Sequence, residues 1–145
     1  MQPAVIALQE KIYETIPLSR AMAFTITELT PTRIVTTAPL EPNINIHGTG
    51  FAGSIYALGA LTAWAYGTYA IEEAGITADV VIAEANIRYS KPLQSDIRCK
   101  CELPLDEAQL FINQLDEKGR AVINLDITIG DEAATLWVKL HARHR

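Results

Sequence analysis

The chain has 145 residues, 49% of them hydrophobic and 20% charged. That is the length of one domain and the balance of an ordinary globular core, large enough to bury about two-thirds of its extended surface without a disulfide or metal. A formal charge of −5 argues against a nucleic-acid partner, and Met1-Gln2-Pro3-Ala4 puts no basic stretch ahead of an apolar run, so it does not read as a signal peptide and a cytoplasmic protein is expected.

Residues 3–15 place Val5, Leu8 and Ile12 at helical spacing, with Pro3 suited to a first turn. Residues 22–30 and 33–39, rich in Thr, Ile and Val around Pro31-Thr32, predict a β-hairpin. Residues 40–50 read as a loop. Residues 51–74 are the most informative stretch: neither a charge nor a proline occurs from Phe51 to Ile71, and Gly75 is a suitable stop. A helix apolar on every side must be enclosed by lipid or by protein. At about 1.5 Å per residue it is long enough for a bilayer. However, Gly53, Gly59, Gly67, Ser54, Thr62, Thr68 and three tyrosines lower its hydrophobicity, and it has no basic flank. The expectation is a buried helix with small residues where a sheet curls tightly over it.

Residues 78–90 alternate as a strand, with Val81, Ala83, Ala85, Ile87 and Tyr89 on one face and Val80, Ile82, Glu84, Asn86 and Arg88 on the other. Residues 95–103 predict another strand, and 105–118 a short amphipathic helix with Asp106 as N-cap and Gly119 as stop. Residues 120–130 and 133–142 read as strands joined by a Gly130-Asp131-Glu132 turn. Cys99 and Cys101, two apart in a strand, read as packed thiols, and His141 and His144 as part of a solvated basic tail.

Strands on both sides of one long apolar helix predict an α+β hotdog fold over residues 1–145: an antiparallel sheet wrapped around a central helix. One sheet covers only one side of such a helix, so a homodimer is expected, with a tetramer left open. Charge is uneven as well. Residues 1–87 hold three basic and eight acidic side chains, and residues 88–145 hold nine of each. Within the latter, Arg88, Lys91, Arg98 and Lys100 oppose only Asp96, a positive patch suited to a phosphate or an acidic carrier protein.

The segment from Asn43 to Ser54 (NINIHGTGFAGS), followed by the strand Val80–Pro92 (VVIAEANIRYSKP), resembles the hotdog thioesterase superfamily. There, a Gly-containing turn starts the central helix and a strand ending in aromatic-x-x-Pro comes after. More closely, nearly the whole chain is similar to a bacterial group first labelled as thioesterases, members of which have been assigned as malonyl-ACP decarboxylases. One departure matters. Many hotdog thioesterases carry an Asp or Glu nine residues after the position of Phe51, where this chain has Ala60. No acid follows on the helix before Glu72.

The leading amides of a buried helix, here those of Gly53 and Ser54, are suited to a thioester oxygen as it gains negative charge. Gly53 would let the carbonyl approach its backbone closely. Asn45 and Thr49 lie just upstream as further polar contacts. Hydrolysis needs a nucleophile or a base for water, a role open to His47 or Glu84 in place of the missing helix carboxylate. Glu84 is equally able to pair with Arg88 on its own face. Decarboxylation of a malonyl thioester needs only stabilisation of the enolate. Phe51 and Trp64 are candidates to line an acyl pocket, Arg88 and Lys91 to hold the carrier, and Tyr56, Tyr66 and Tyr69 to fill the core or dimer seam. The substrate would be a thioester of acyl carrier protein or coenzyme A. No metal or nucleotide motif is present, so no cofactor beyond the pantetheine arm is implied. Three readings stand: a malonyl-ACP decarboxylase, an acyl thioesterase and a non-catalytic acyl-carrier-binding module.

Overall fold

In the computed structural model, which describes residues 2–145, helix α1 (Pro3–Thr15) buries Val5, Leu8 and Ile12, the spacing seen in the sequence. Met1, where the N-terminal reading begins, lies outside the described residues. A five-residue helix, α2 (Pro17–Ala21), follows. The sequence reading missed it because Pro17 starts a turn too short to show periodicity. The hairpin is β1 (Thr25–Thr30) and β2 (Arg33–Ala38), so Met22, Ala23 and Phe24 precede it rather than belong to it.

Helix α3 (Ala52–Glu73) is the 22-residue axis of the molecule, with twelve buried residues distributed around it. Strands β3 (Ala78–Tyr89), β4 (Ile97–Glu102), β5 (Arg120–Ile129) and β6 (Ala134–His144) complete one six-stranded sheet of order β1-β2-β4-β5-β6-β3, every pairing antiparallel. Helix α4 (Leu105–Lys118) ends at Gly119, whose φ of 74° is left-handed. Asp106 is not its N-cap. Pro104 holds that position, and Asp106 sits in the first turn, where its carboxylate accepts from the Glu107 amide. The fold is the hotdog arrangement: α3 lies in the concave side of the sheet, against Ile127, Ile129, Leu136, Val138 and Leu140.

The sheet can close on α3 because α3 is narrow at its points of contact. A Cβ on Gly59 would come 2.9 Å from Leu136 Cδ2 and 3.1 Å from Ile129 Cδ1, both fully buried. Across the same contact, Thr62 donates to the Leu58 carbonyl at 2.7 Å and shares a 2.8 Å hydrogen bond with Thr36 of β2. Cys99 and Cys101 pack into this core, where burial pushes their thiols up to about 11 and about 12, so both stay protonated and unreactive at neutral pH. The basic tail is strand rather than loose chain: Leu140 and Ala142 are buried in β6, and only Arg143, His144 and Arg145 are exposed.

Strand β3 corrects the simple alternation. Its register against β6 slips between Ile82, opposite Leu140, and Glu84, opposite Lys139, leaving Ala83 as an extra residue. A bulge of this kind reverses which residues face the core. Val80 therefore faces α3 on the near side of the bulge, and Ala85 and Ile87 face it on the far side. Glu84, Asn86 and Arg88 share the outer, convex face, as the sequence placed them relative to one another. No helix among the described residues is long and apolar enough to cross a membrane.

Filling the closest contact of helix and sheet should be costly. Gly59→Val is expected to lower the unfolding free energy by about 2–3 kcal/mol, read from urea denaturation. A midpoint equal to that of the unaltered chain would show that the sheet does not press on α3 there.

Candidate functional site at the start of the central helix

The loop before α3 is built to deliver the chain into the helix with its amides bare. Asn45 organises it. Its Oδ1 accepts from the His47 and Thr49 amides at 2.9 and 3.1 Å, and its Nδ2 donates to the Thr49 hydroxyl at 2.8 Å and to the Gly50 carbonyl at 3.3 Å. Asn side chains favour such local turns because they mimic backbone groups. Both ends of the Asn45 amide are thus engaged within the loop. The Thr49 hydroxyl, used as an acceptor, keeps its own proton free to donate.

Two backbone bonds seat this loop: Gly50 N–H to Leu93 O at 2.8 Å and Phe51 N–H to Asn43 O at 2.8 Å. Asn43, buried, in turn donates from its side chain to Met22 O and Pro39 O. The sequence showed Asn43 only as part of a pattern, and its anchoring role depends on contacts 21 residues away. Phe51 is the N-cap residue of α3, in extended conformation and with no side-chain cap. The first intrahelical bond is Ile55 N–H to Phe51 O. The amides of Ala52, Gly53 and Ser54 therefore find no acceptor among the described residues, at the positive end of a helix 22 residues long.

Gly53 lies against the aromatic ring that precedes it in the chain. A Cβ there would sit 2.5 Å from Phe51 Cε2, so the close neighbour is the Phe51 ring, folded back along the first turn and still 52% exposed. Phe51 thus forms an apolar wall beside the bare amides. Ser54 is half-buried next to it.

The other predicted residues divide clearly. His47 is exposed in the loop, three residues before Gly50. Glu84 is exposed on the convex face of β3, opposite Lys139, while the bare amides belong to the helix on the concave side. Trp64 lies eleven residues along α3 from Gly53, about 16 Å at the helical rise, and its indole N–H donates to Val80 O at 3.0 Å. It lines an apolar cleft of about 500 Å³ with Tyr56, Ala57, Ala60, Val81 and Ile82. Tyr66 and Tyr69 are buried core residues, and Tyr66 donates to Pro31 O. Tyr56 is partly exposed at that cleft.

Arg88 and Lys91 are exposed and, like Arg98, form no ion pair among the described residues, whereas Lys100 lies 3.8 Å from Glu102. Lys91 sits between two links to the helix start: the Tyr89 hydroxyl donating to Ala52 O at 2.8 Å, and the Leu93 carbonyl accepting from Gly50. Lys91 therefore stands beside the start of α3, whereas Arg88 lies on the convex face with Glu84. Tyr89 entered the sequence reading only as an aromatic at a strand end, and its contact with Ala52 needs the bulge to be known.

A hotdog sheet around a helix whose first amides are free defines a thioesterase-like member of that superfamily. Residues 5–140 match the family described as "Putative thioesterase (yiiD_Cterm)", and the chain belongs to it. Among solved structures, it is similar to a protein of unknown function from Chlorobaculum tepidum TLS, with a TM-score of 0.90 and 26% identity over 97% of this chain and 94% of that one. It is also similar to "the putative thioesterase from Shewanella oneidensis", with a TM-score of 0.83 and 28% identity over the full length of both chains. A thioesterase from Haemophilus influenzae shares the fold at a TM-score of 0.73 and 15% identity, over 99% of this chain and 93% of that one.

Proposed function

We propose that this chain acts on a malonyl thioester carried by acyl carrier protein and releases carbon dioxide to leave the acetyl thioester, a primer for fatty-acid synthesis. The family places the chain among thioesterase-like hotdog enzymes at a coarse level. The finer reading rests on one observation: donors for an oxyanion stand free at the start of α3, and no carboxylate on that helix is near them. The first acid on α3 is Glu72, about 28 Å from Gly53 at the helical rise. Glu84 faces away on the convex side.

Such a site suits a reaction that requires charge stabilisation and no base. The bond between the malonyl carboxylate and the α-carbon breaks, and its electron pair moves into the thioester, giving an enolate oxygen. The Gly53 and Ser54 amides stabilise that oxygen in an apolar setting, where they act more strongly than in water. Carbon dioxide leaves, and the α-carbon takes a proton from water. The short malonyl unit stays at the amides and does not reach Trp64. Lys91, beside the helix start, suits the phosphate of the pantetheine arm, and the exposed Arg88 and Arg98 the acidic surface of its carrier.

The working unit in this reading is a homodimer. The apolar cleft along α3, lined by Leu18, Tyr56, Ala57, Ala60, Val81 and Ile82, runs beside the twelve-residue edge strand β3, which has β6 on one side only. A long unpaired edge next to an exposed apolar face invites a second copy of itself. Light scattering should give twice the chain mass, and Ala60→Arg should reduce it. A monomeric unaltered chain would remove the dimer.

The chemistry is tested by incubating the protein with malonyl-ACP and with malonyl-CoA. Acetyl thioester is the expected product. Malonate with free thiol would mean hydrolysis, and unchanged substrate a binding module, and either would overturn the proposal. Ser54→Pro removes one bare amide without losing an intrahelical bond, and should slow turnover by about 100- to 1,000-fold, whereas Glu84→Gln should retain full activity.

A further inference from the structure

The contact between Tyr89 and Ala52 has a chemical consequence beyond tying a strand to a helix. A trans peptide unit is planar, with its carbonyl and its N–H pointing in opposite directions. The carbonyl of Ala52 and the amide of Gly53 are the two ends of one such unit. A proton donated to that oxygen draws charge through the unit and makes the opposite N–H a stronger donor, because linked hydrogen bonds polarise one another.

We propose that Tyr89 is a positioning residue: its hydroxyl, donating to Ala52 O at 2.8 Å, fixes the Ala52–Gly53 peptide and polarises the Gly53 N–H that receives the substrate oxygen. This rests on the functional reading above. Three features of the fold support it. The bulge at Ala83 puts Tyr89 on the same inward face as Ala85 and Ile87, whereas without the slip it would follow Val81 to the convex side. The segment after Tyr89 is held at fixed points, with Ser90 N–H donating to Ala133 O at 2.8 Å and Leu93 O accepting from Gly50, so the ring has a rigid base. The phenol, raised above its ordinary pKa by burial and next by Tyr56, remains a proton donor throughout the neutral range. Bulges that re-aim a side chain toward a site are a recurrent use of the extra residue.

Tyr89→Phe removes the hydroxyl and keeps the ring. Tyr66→Phe is the matched control, since Tyr66 also donates to a backbone carbonyl, that of Pro31, but thirteen residues along the chain from Gly53. Tyr89→Phe is expected to lower kcat on malonyl-ACP by about 5- to 10-fold with KM unchanged, and to move the Gly53 amide proton resonance upfield. Tyr66→Phe should lower only the thermal midpoint. Unchanged kcat and an unmoved Gly53 resonance in Tyr89→Phe would overturn the proposal, as would equal losses of kcat in both variants. If the unaltered chain makes no acetyl thioester, the functional reading fails. The Gly53 resonance, which needs no substrate, still tests the link between Tyr89 and that amide.

Discussion

An uncharged helix has to be hidden, and most of this structure is the means of hiding it. From Phe51 to Ile71 no side chain carries a charge, so water is a poor neighbour on any face. The sheet supplies one enclosure, closing onto α3 where Gly59 leaves room for Leu136 and Ile129. α1 supplies another, through Val5, Leu8 and Ile12. What remains exposed is the strip through Ala57 and Ala60, beside the free edge of β3.

The same enclosure creates the site. A helix held rigidly along its length presents its first amides at a fixed place, and a loop that consumes its own polar groups leaves them unsatisfied. Asn45 makes four hydrogen bonds within the loop and none to the amides of α3. Phe51 caps with no side-chain oxygen where Ser, Thr, Asp or Asn is the usual choice. The missing cap is thus local instability retained where charge can be received, with the fold's burial offsetting it.

Much of this was legible in the residues. The uncharged run, its glycine stop and the strands around it give the α+β class, because burial of α3 is decided by composition alone. The bare amides of Gly53 and Ser54 were legible too, since the turn and the helix start are both local. Where the sequence reading failed, the cause was tertiary. One extra residue at Ala83 reverses the facing of β3, and nothing in an alternation of Val, Ile and Ala marks it. The place of the Phe51 ring against Gly53 depends on its rotamer, which no local pattern shows. Glu84 was a candidate base, and the same bulge turns it to the convex face, away from the side that Val80 faces. Asn43 and Tyr89 act through partners 21 and 37 residues away, beyond the reach of local patterns.

Whether a reacting carbonyl meets the leading amides of α3 is decided by a structure with a non-reactive malonyl thioester analogue bound. The thioester oxygen is expected within hydrogen-bonding distance, about 2.7–3.2 Å, of the Gly53 or Ser54 nitrogen, with the Phe51 ring against the acyl group. An analogue seated elsewhere, with those two amides facing solvent or a side chain of a second protomer, would contradict it.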